Sequence, residues 1–254
     1  GAGAIALKGA SQKEIPETYI LQVDKNYLEV KAKFETPLAI AVWKVKSDGS
    51  TELASNASIS VEIPSDRAGL EASPTNGTGS MTCNFSVPYP RECADVPVTV
   101  SAVAGQLTKN AQVTVRIVPL YELELSFFDP QKFRLKPGEA EIYAVASLEA
   151  TPRPEPRMTA DDLAKLISLE IKGSNSALVQ LSTADGGQGP YVNGGKLWGP
   201  LRVADLPPGA SLRPGKTYLV ASFSDGSQQT EARLLLEIMG EMLLGAWVTG
   251  KKQT

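Results

Sequence analysis

The chain contains no histidine and only two cysteines among its 254 residues. Without an imidazole base, nucleophilic catalysis of the Ser-His-Asp or Cys-His type is excluded in its usual forms, as are the mixed Cys/His zinc sites. Paired carboxylates remain, but Asp161 and Asp162 lie where a helix is predicted to begin, and there they complement exposed backbone N–H groups. The sequence therefore predicts a non-enzyme with no catalytic residue, no metal site and no cofactor.

A strong charge and long apolar runs are also missing. The 25 basic and 28 acidic residues give a net charge of -3 and are spread along the chain, so no basic face is available to nucleic acid. No segment reaches the roughly 18 uninterrupted apolar residues of a membrane helix. The most apolar stretch, 234–248, is broken by Glu237 and Glu241. We therefore predict neither nucleic acid as a partner nor a membrane-spanning segment.

The two cysteines, Cys83 and Cys93, are separated by nine residues. This spacing matches no metal motif, and a disulfide across a loop fits it better than two unrelated buried thiols. A disulfide would imply an oxidising compartment.

The positive feature of the sequence is an internal repeat of strands and turns. Residues 105–117 align without gaps on 226–238, and residues 24–31 resemble 129–136. Each copy is predicted to contain a turn, a polar segment and a closing strand, which indicates a tandem of two β modules.

The repeat sets the predicted domain boundaries at 18–118 and 119–240. Residues 1–17 form an N-terminal segment, and 241–254 look like the start of a further segment or tail. The linker is very short and contains Pro119, which fixes one backbone dihedral, so we expect a stiff joint.

The first module alternates branched and polar residues in short runs, which is typical of strands in an antiparallel sandwich. Polar side chains are predicted to face outward, and Trp43 is predicted to pack in the core. The seven predicted strands are 19–23, 28–30, 39–45, 58–63, 81–87, 96–103 and 111–118.

The second module differs from the first in three places. Residues 151–157 contain three prolines and predict an extended strap, and Thr159 is the predicted N-cap of a short helix reaching to about Ile167. A long glycine-rich loop follows, and it holds Tyr191 and Trp198.

Two interpretations of this loop remain open. In one, Tyr191 and Trp198 form an exposed platform that stacks on sugar faces or on an apolar partner, with Asn193 orienting hydroxyl groups. In the other, which the composition favours, Trp198 is buried beneath the loop and the glycines permit close approach.

The turn Leu-Lys-Pro-Gly-Glu at 135–139 and the strand Val-Thr-Val-Arg-Ile at 113–117, with its counterpart at 234–238, resemble bacterial immunoglobulin-like repeats of invasin, intimin and S-layer surface proteins. The resemblance implies an all-β fold of two tandem immunoglobulin-like antiparallel β-sandwich domains, the second with a short helix and a long Gly-rich loop. It also implies an extracellular, cell-surface or periplasmic location. The partners implied are a host or cell-surface protein or glycan, and neighbouring domains of a longer chain.

The leading functional hypothesis is a non-catalytic structural or adhesion module of a secreted or surface-anchored bacterial protein. Such a module acts as a stalk or presents a protein- or glycan-binding surface. The alternative is a carbohydrate-binding accessory domain of a secreted hydrolase, which exposure of Tyr191 and Trp198 would favour. An enzyme that uses only carboxylates is the third and least favoured hypothesis.

Overall fold

The computed structural model describes residues 17–240, which divide into two compact units, the first ending at Val118 and the second beginning at Pro119. The predicted tail 241–254 and nearly all of the predicted N-terminal segment lie outside the described residues. No helix within 17–240 is long and apolar enough to cross a membrane.

Unit 1 is built from strands in its described part. They are β1 Thr18–Val23, β2 Tyr27–Lys31, β3 Thr36–Val45, β4 Thr51–Leu53, β5 Ser58–Glu62, β6 Glu71–Ser73, β7 Asn76–Thr78, β8 Ser80–Ser86, β9 Ala94–Ala104 and β10 Leu107–Val118. All seven predicted strands are present among them. The short strands β4, β6 and β7 are additional.

The strands of unit 1 form two sheets, ordered β1-β3-β8-β6 with β4 beside β3, and β2-β10-β9-β5-β7. The consecutive strands β1 and β2 belong to different sheets. β2 pairs in parallel with the last strand β10, whereas the other pairs are antiparallel. The two sheets face each other, and their strands are antiparallel apart from the β2–β10 pair. A unit of about 100 residues connected in this way is an immunoglobulin-like sandwich.

Alternation along the strands places every second side chain between the sheets. In β3 the buried residues are Leu38, Ile40 and Val42, and the facing sheet contributes buried valines from β9 and β10. Full burial of one such side chain stabilises the fold by about 1.5–3 kcal/mol. The continuous apolar core of unit 1 is therefore the main source of its stability.

Trp43 does not lie in this core. Because Val42 points inward, the next residue of β3 points outward, and Trp43 is half-buried on the outer face of the sheet. Ile20 of β1 and Leu53 of β4 are its direct cross-strand neighbours, and they are 48% and 42% exposed. The prediction that Trp43 packs in the core is therefore wrong. The prediction that polar side chains face outward is wrong at these three positions.

Unit 2 contains the strands β11 to β19 and one short α-helix. The elements are β11 Leu120–Phe127, β12 Arg134–Leu135, β13 Ile142–Thr151, α1 Ala160–Ala164, β14 Ser168–Gly173, a 3-10 turn Ser176–Leu178, β15 Val179–Gln180, β16 Tyr191–Asn193, β17 Lys196–Val203, β18 Thr217–Ser224 and β19 Gln229–Ile238. The sheets are β11-β13-β17-β15 with β16 beside β17, and β12-β19-β18-β14. This is a second immunoglobulin-like sandwich, and the predicted fold class is confirmed.

The aligned residues of the two copies make equivalent pairs. In unit 1, Val30 of β2 lies opposite Ile117 of β10 in a parallel pair. In unit 2, Leu135 of β12 lies opposite Ile238 of β19, also in parallel. The closing hairpins both turn at a glycine with positive φ, Gly105 at 61° and Gly226 at 92°. The sequence repeat is thus a repeat of strand pairing.

The short helix of unit 2 begins as predicted. The Thr159 hydroxyl accepts a hydrogen bond from the Asp162 N–H, and the Asp162 carboxylate accepts one from the Thr159 N–H, which together form a capping box. The proline-rich segment before it is not extended throughout, because it turns at residues 155–157. There the Met158 N–H donates to the Pro154 carbonyl at 3.3 Å, and the chain turns into the helix.

The predicted disulfide between Cys83 and Cys93 is wrong, since the structure does not join the two sulfur atoms. Cys83 lies on β8 with its side chain facing the core, and it is 0% exposed. Cys93 lies half-buried in the segment between β8 and β9. Spacing alone favoured a bridge, but strand alternation turns Cys83 into the apolar interior, where burial raises the pKa of its thiol to about 11.

The state of the cysteines can be tested by thiol alkylation near pH 8 without reductant. The raised pKa reduces the thiolate fraction of Cys83, so we expect this thiol to resist alkylation in the folded protein. Unfolding in denaturant, still without reductant, should allow two labels per chain, counted by intact mass. Labelling that requires a reductant would show that the disulfide exists after all.

Candidate functional site

Four aromatic side chains meet on the outer face of the β11-β13-β17 sheet of unit 2. The ring centroids of Tyr191 and Trp198 are 6.5 Å apart with planes only 10° from parallel. The centroid of the Trp198 ring also lies 4.9 Å from that of Phe128 and 6.3 Å from that of Tyr143, with the Trp198 and Tyr143 rings in a T-shaped arrangement. We call Phe128, Tyr143, Tyr191 and Trp198 the aromatic face.

A tight hairpin places the two stacked rings. β16 and β17 pair so that Asn193 lies opposite Lys196, which leaves Gly194 and Gly195 as the two turn residues. Both have positive φ, 60° and 76°, as a type I′ turn requires. In this register Tyr191 lies directly opposite Trp198. The second half of the glycine-rich stretch is therefore an ordered hairpin rather than a loose loop.

The direction of Trp198 follows from the alternation along β17. Leu197, Gly199 and Leu201 are buried on the inner face, so Trp198 points outward and is half-buried. Its indole N–H donates to the Asn193 carbonyl at 3.1 Å. The ring is thus neither buried beneath the loop nor fully exposed, and its polar group is satisfied within the hairpin.

The helix α1 holds the turn of this hairpin. The Gly195 N–H donates to the Asp161 carboxylate at 2.6 Å. A Cβ atom at Gly195 would come within 2.8 Å of the Ala160 Cβ, so only glycine fits against the helix there. Asp161, expected to serve the helix start, instead accepts from the hairpin, whereas Asp162 forms the cap.

A carboxylate borders the aromatic face on the other side. One oxygen of Glu141 accepts from the Tyr143 hydroxyl at 3.2 Å, and the other accepts from the Ala184 N–H at 3.2 Å. Backbone N–H groups, its own and that of Ala184, lower the pKa of Glu141, so the group is ionised at neutral pH. Burial raises the pKa of Tyr143, which remains a hydroxyl donor. Glu141 thereby connects the ring cluster to the 181–190 loop.

The aromatic face is accessible to a ligand. Phe128 is 64% exposed, Tyr143, Tyr191 and Trp198 are half-buried, and the Asn193 side chain is exposed beside them. The face offers apolar rings flanked by an amide and a carboxylate. Such a surface can contact an apolar ring face and bind polar substituents at its edge.

The structure brings together Tyr191, Asn193 and Trp198, the three residues singled out in the sequence. It adds Phe128 and Tyr143, which the sequence analysis missed. Tyr143 lies on an outward position of β13, next to the buried Ala144, and Phe128 directly follows the end of β11, next to Phe127, which packs against the core. The alternation of side-chain direction along a strand could have shown that these residues face outward. The sequence did not show that β11, β13 and β17 lie side by side.

A pocket of about 670 Å³ at another end of unit 2 is a weaker candidate. It is lined largely by the 206–215 segment and borders Gly240, where the described residues end. Two buried polar residues line it. The amide of Asn175 bonds the backbone of Arg213 at 2.9 and 2.8 Å, and the Thr217 hydroxyl accepts a hydrogen bond from the Asn175 N–H at 3.4 Å. Both of these side chains are therefore already hydrogen-bonded within the protein.

Two carboxylates of unit 2 are hydrogen-bonded within local turns. Hydrogen bonds from Thr159 lower the pKa of Asp162, and a hydrogen bond from Thr183 lowers that of Asp185, so neither can donate a proton near neutral pH. Within residues 17–240, no group of three or more Cys, Asp or Glu side chains is arranged to hold a metal ion.

No family model and no curated protein matches the chain. Solved structures similar to it include a chimeric titin Z1Z2 carrying a decorin peptide, at 9% identity over 87% of this chain and 97% of that one with a TM-score of 0.28. Extracellular domains 3–5 of Drosophila OTK are 7% identical over 88% and 62%, with a TM-score of 0.41. The D1–D4 fragment of ICAM-5 is 13% identical over 87% and 53%, with a TM-score of 0.35. At these values the fold assignment rests on the strand topology described above.

The two glycines of the hairpin provide a test of how the site is held. Gly194→Ala places a side chain in open space at positive φ and should destabilise unit 2 by about 1–2 kcal/mol. Gly195→Ala has the same backbone cost and also clashes with Ala160, which should add about 1–3 kcal/mol and displace the hairpin.

Denaturant unfolding measures the difference, and acrylamide quenching of tryptophan fluorescence reports the displacement. Equal destabilisation by both variants would show that the turn does not rest on the helix.

Proposed function

We propose that the chain is a non-catalytic binding module of a secreted or surface-anchored multidomain bacterial protein, and that the aromatic face of unit 2 binds glycan. The observation that carries the proposal is the near-parallel pair of Tyr191 and Trp198 on an accessible sheet face. Pyranose rings have an apolar C–H face that stacks on such aromatic rings, while their hydroxyl groups need hydrogen-bonding partners at the edge. Asn193 and Glu141 are placed to supply these partners.

The rigidity of the face supports a binding role. The hairpin is held by Asp161, the indole by the Asn193 carbonyl, and Tyr143 by Glu141. Rings fixed before the ligand arrives lose little conformational entropy when it binds.

A non-catalytic role is supported by the chemistry that the chain carries. It has no histidine, and the carboxylates of Asp161 and Asp162 are occupied by the turn and the helix cap. The bacterial and extracellular parts of the proposal rest on the resemblance to surface-protein repeats. With no disulfide between Cys83 and Cys93, the cysteines give no support to an oxidising compartment.

The second candidate function is a stalk that spaces other domains. Strand β10 ends at Val118 and β11 begins at Leu120, so Pro119 is the whole connection between the strands of the two units. A linker this short favours a spacer, and spacing is compatible with glycan binding in the same chain. An accessory domain of a secreted hydrolase would use the aromatic face in the same way.

Glycan binding predicts that Trp198→Ala weakens binding at least tenfold, because central aromatic residues dominate such interfaces. The experiment incubates the chain with insoluble cellulose, chitin, xylan and mannan, and then titrates soluble oligosaccharides of any polymer that binds by calorimetry. Tyr191→Ala should also weaken binding. Trp43→Ala is the matched control, because it removes a half-buried tryptophan from an outer sheet face of the other unit.

A chain that binds none of these polymers, or whose binding is unaffected by Trp198→Ala, would leave the stalk as the better description. Loss of binding in the Trp43→Ala control alone would instead place the site on unit 1.

A further inference from the structure

Within residues 17–240, no strand pairs with the outer edge of β1, the first strand of unit 1. β1 pairs only with β3 among the described strands. The Asp24 N–H donates to the Ala39 carbonyl, so residues 24 and 39 form a hydrogen-bonded pair of the antiparallel ladder. Along β1, the backbone groups of successive residues point alternately toward β3 and away from it. Even-numbered residues of β1 therefore direct their backbone groups to β3, and Tyr19, Leu21 and Val23 direct theirs away from it.

This edge lacks the features that usually protect one. Natural edge strands carry charges, prolines or bulges, which discourage pairing with another chain. β1 has the sequence Thr-Tyr-Ile-Leu-Gln-Val, with no charge, proline or glycine. The corresponding edge of unit 2, β11, exposes Glu122 and Glu124, and the edge strand β14 carries Glu170 and Lys172. Among the edges that the structure describes, β1 is the longest without a charged side chain.

We propose that β1 pairs antiparallel with β1 of a second copy of this chain, about a two-fold axis at Leu21. In that register Leu21 lies opposite itself, Tyr19 lies opposite Val23 of the second copy, and all three have outward backbone groups. The arrangement forms about six backbone hydrogen bonds between the copies. The β1-β3-β8-β6 sheets of the two copies become one continuous sheet.

The side chains around the edge complement each other in this register. Ile20 lies opposite Gln22 of the second copy, so the outer faces join without facing charges. At the ends of the strand, Glu17 of one copy, which also pairs with Lys44 of its own chain at 2.6 Å, comes near exposed Lys25 of the other. The apolar row formed by Ile20, Trp43 and Leu53 faces Gln22 and Ala41 of the second copy, so the two apolar rows lie two residues apart on either side of the axis.

A second copy is the occupant that these features favour. A two-fold interface must be self-complementary, and a neutral strand whose flanking charges have opposite sign meets that condition. The strand is short and the contact is confined to one edge, so we expect a weak, concentration-dependent dimer rather than an obligate one.

Sedimentation equilibrium of the full chain, from about 1 µM to about 1 mM, tests the proposal. The mass should rise from 27.0 kDa towards twice that value. The double variant Ile20→Lys, Gln22→Lys places like charges opposite each other at two points and should weaken the dimer at least tenfold. The matched variant Ile20→Lys, Gln22→Glu places opposite charges there and should restore it.

Two further measurements separate repulsion from misfolding. High salt should partly rescue the dimer of the lysine–lysine variant, because it screens the charges. Circular dichroism and thermal unfolding should show that both variants keep the fold.

A wild-type chain that stays monomeric throughout the concentration range would overturn the proposal. A lysine–lysine variant that dimerises like the wild type would also overturn it. Trp198→Ala should leave the dimer unchanged, so glycan binding and dimerisation fail independently.

Discussion

The burial of alternate strand residues between two sheets is the constraint on which the other features of both units depend. Each sandwich has a single interior, so a residue next to a buried one must face outward. This places Cys83 inside, where the structure has it as a free thiol, and it places Trp43 and Trp198 outside. The aromatic face of unit 2 and the apolar row of unit 1 both follow from the alternation of side-chain direction along the strands.

The elements that local signals specify could be predicted from the sequence. Short alternating runs gave the strands of unit 1, and Thr159 followed by Asp162 gave the helix start. The errors arose where hydrophobicity or spacing was used in place of side-chain direction, as for Trp43 and for the bridge from Cys83 to Cys93. The meeting of Phe128 and Tyr143 with Trp198 depends on pairing between distant strands, which no local pattern contains.

The two copies keep the same framework and differ around it. The parallel pairs Val30–Ile117 and Leu135–Ile238 occupy the same place in the repeat, although the second copy has about sixteen more residues between its matching segments. The helix α1 and the β16–β17 hairpin lie between those segments, so they elaborate the sandwich without altering its closing strands. A framework fixed by one core tolerates such additions, because loop-closure entropy grows slowly with loop length.

The edge of β1 lies in unit 1 and the aromatic face lies in unit 2, and the two are proposed to bind through different interactions. Backbone pairing at β1 needs only a neutral, unpaired edge, whereas sugar stacking needs rigid rings. A single aromatic face of four rings is a small binding surface, and a ligand held by few contacts dissociates quickly. Two copies joined through β1 would present two such faces, and a polymeric glycan spanning both would bind more tightly without any new contact. If both proposals hold, dimerisation would raise the avidity of the chain for a polymeric glycan above that of one aromatic face.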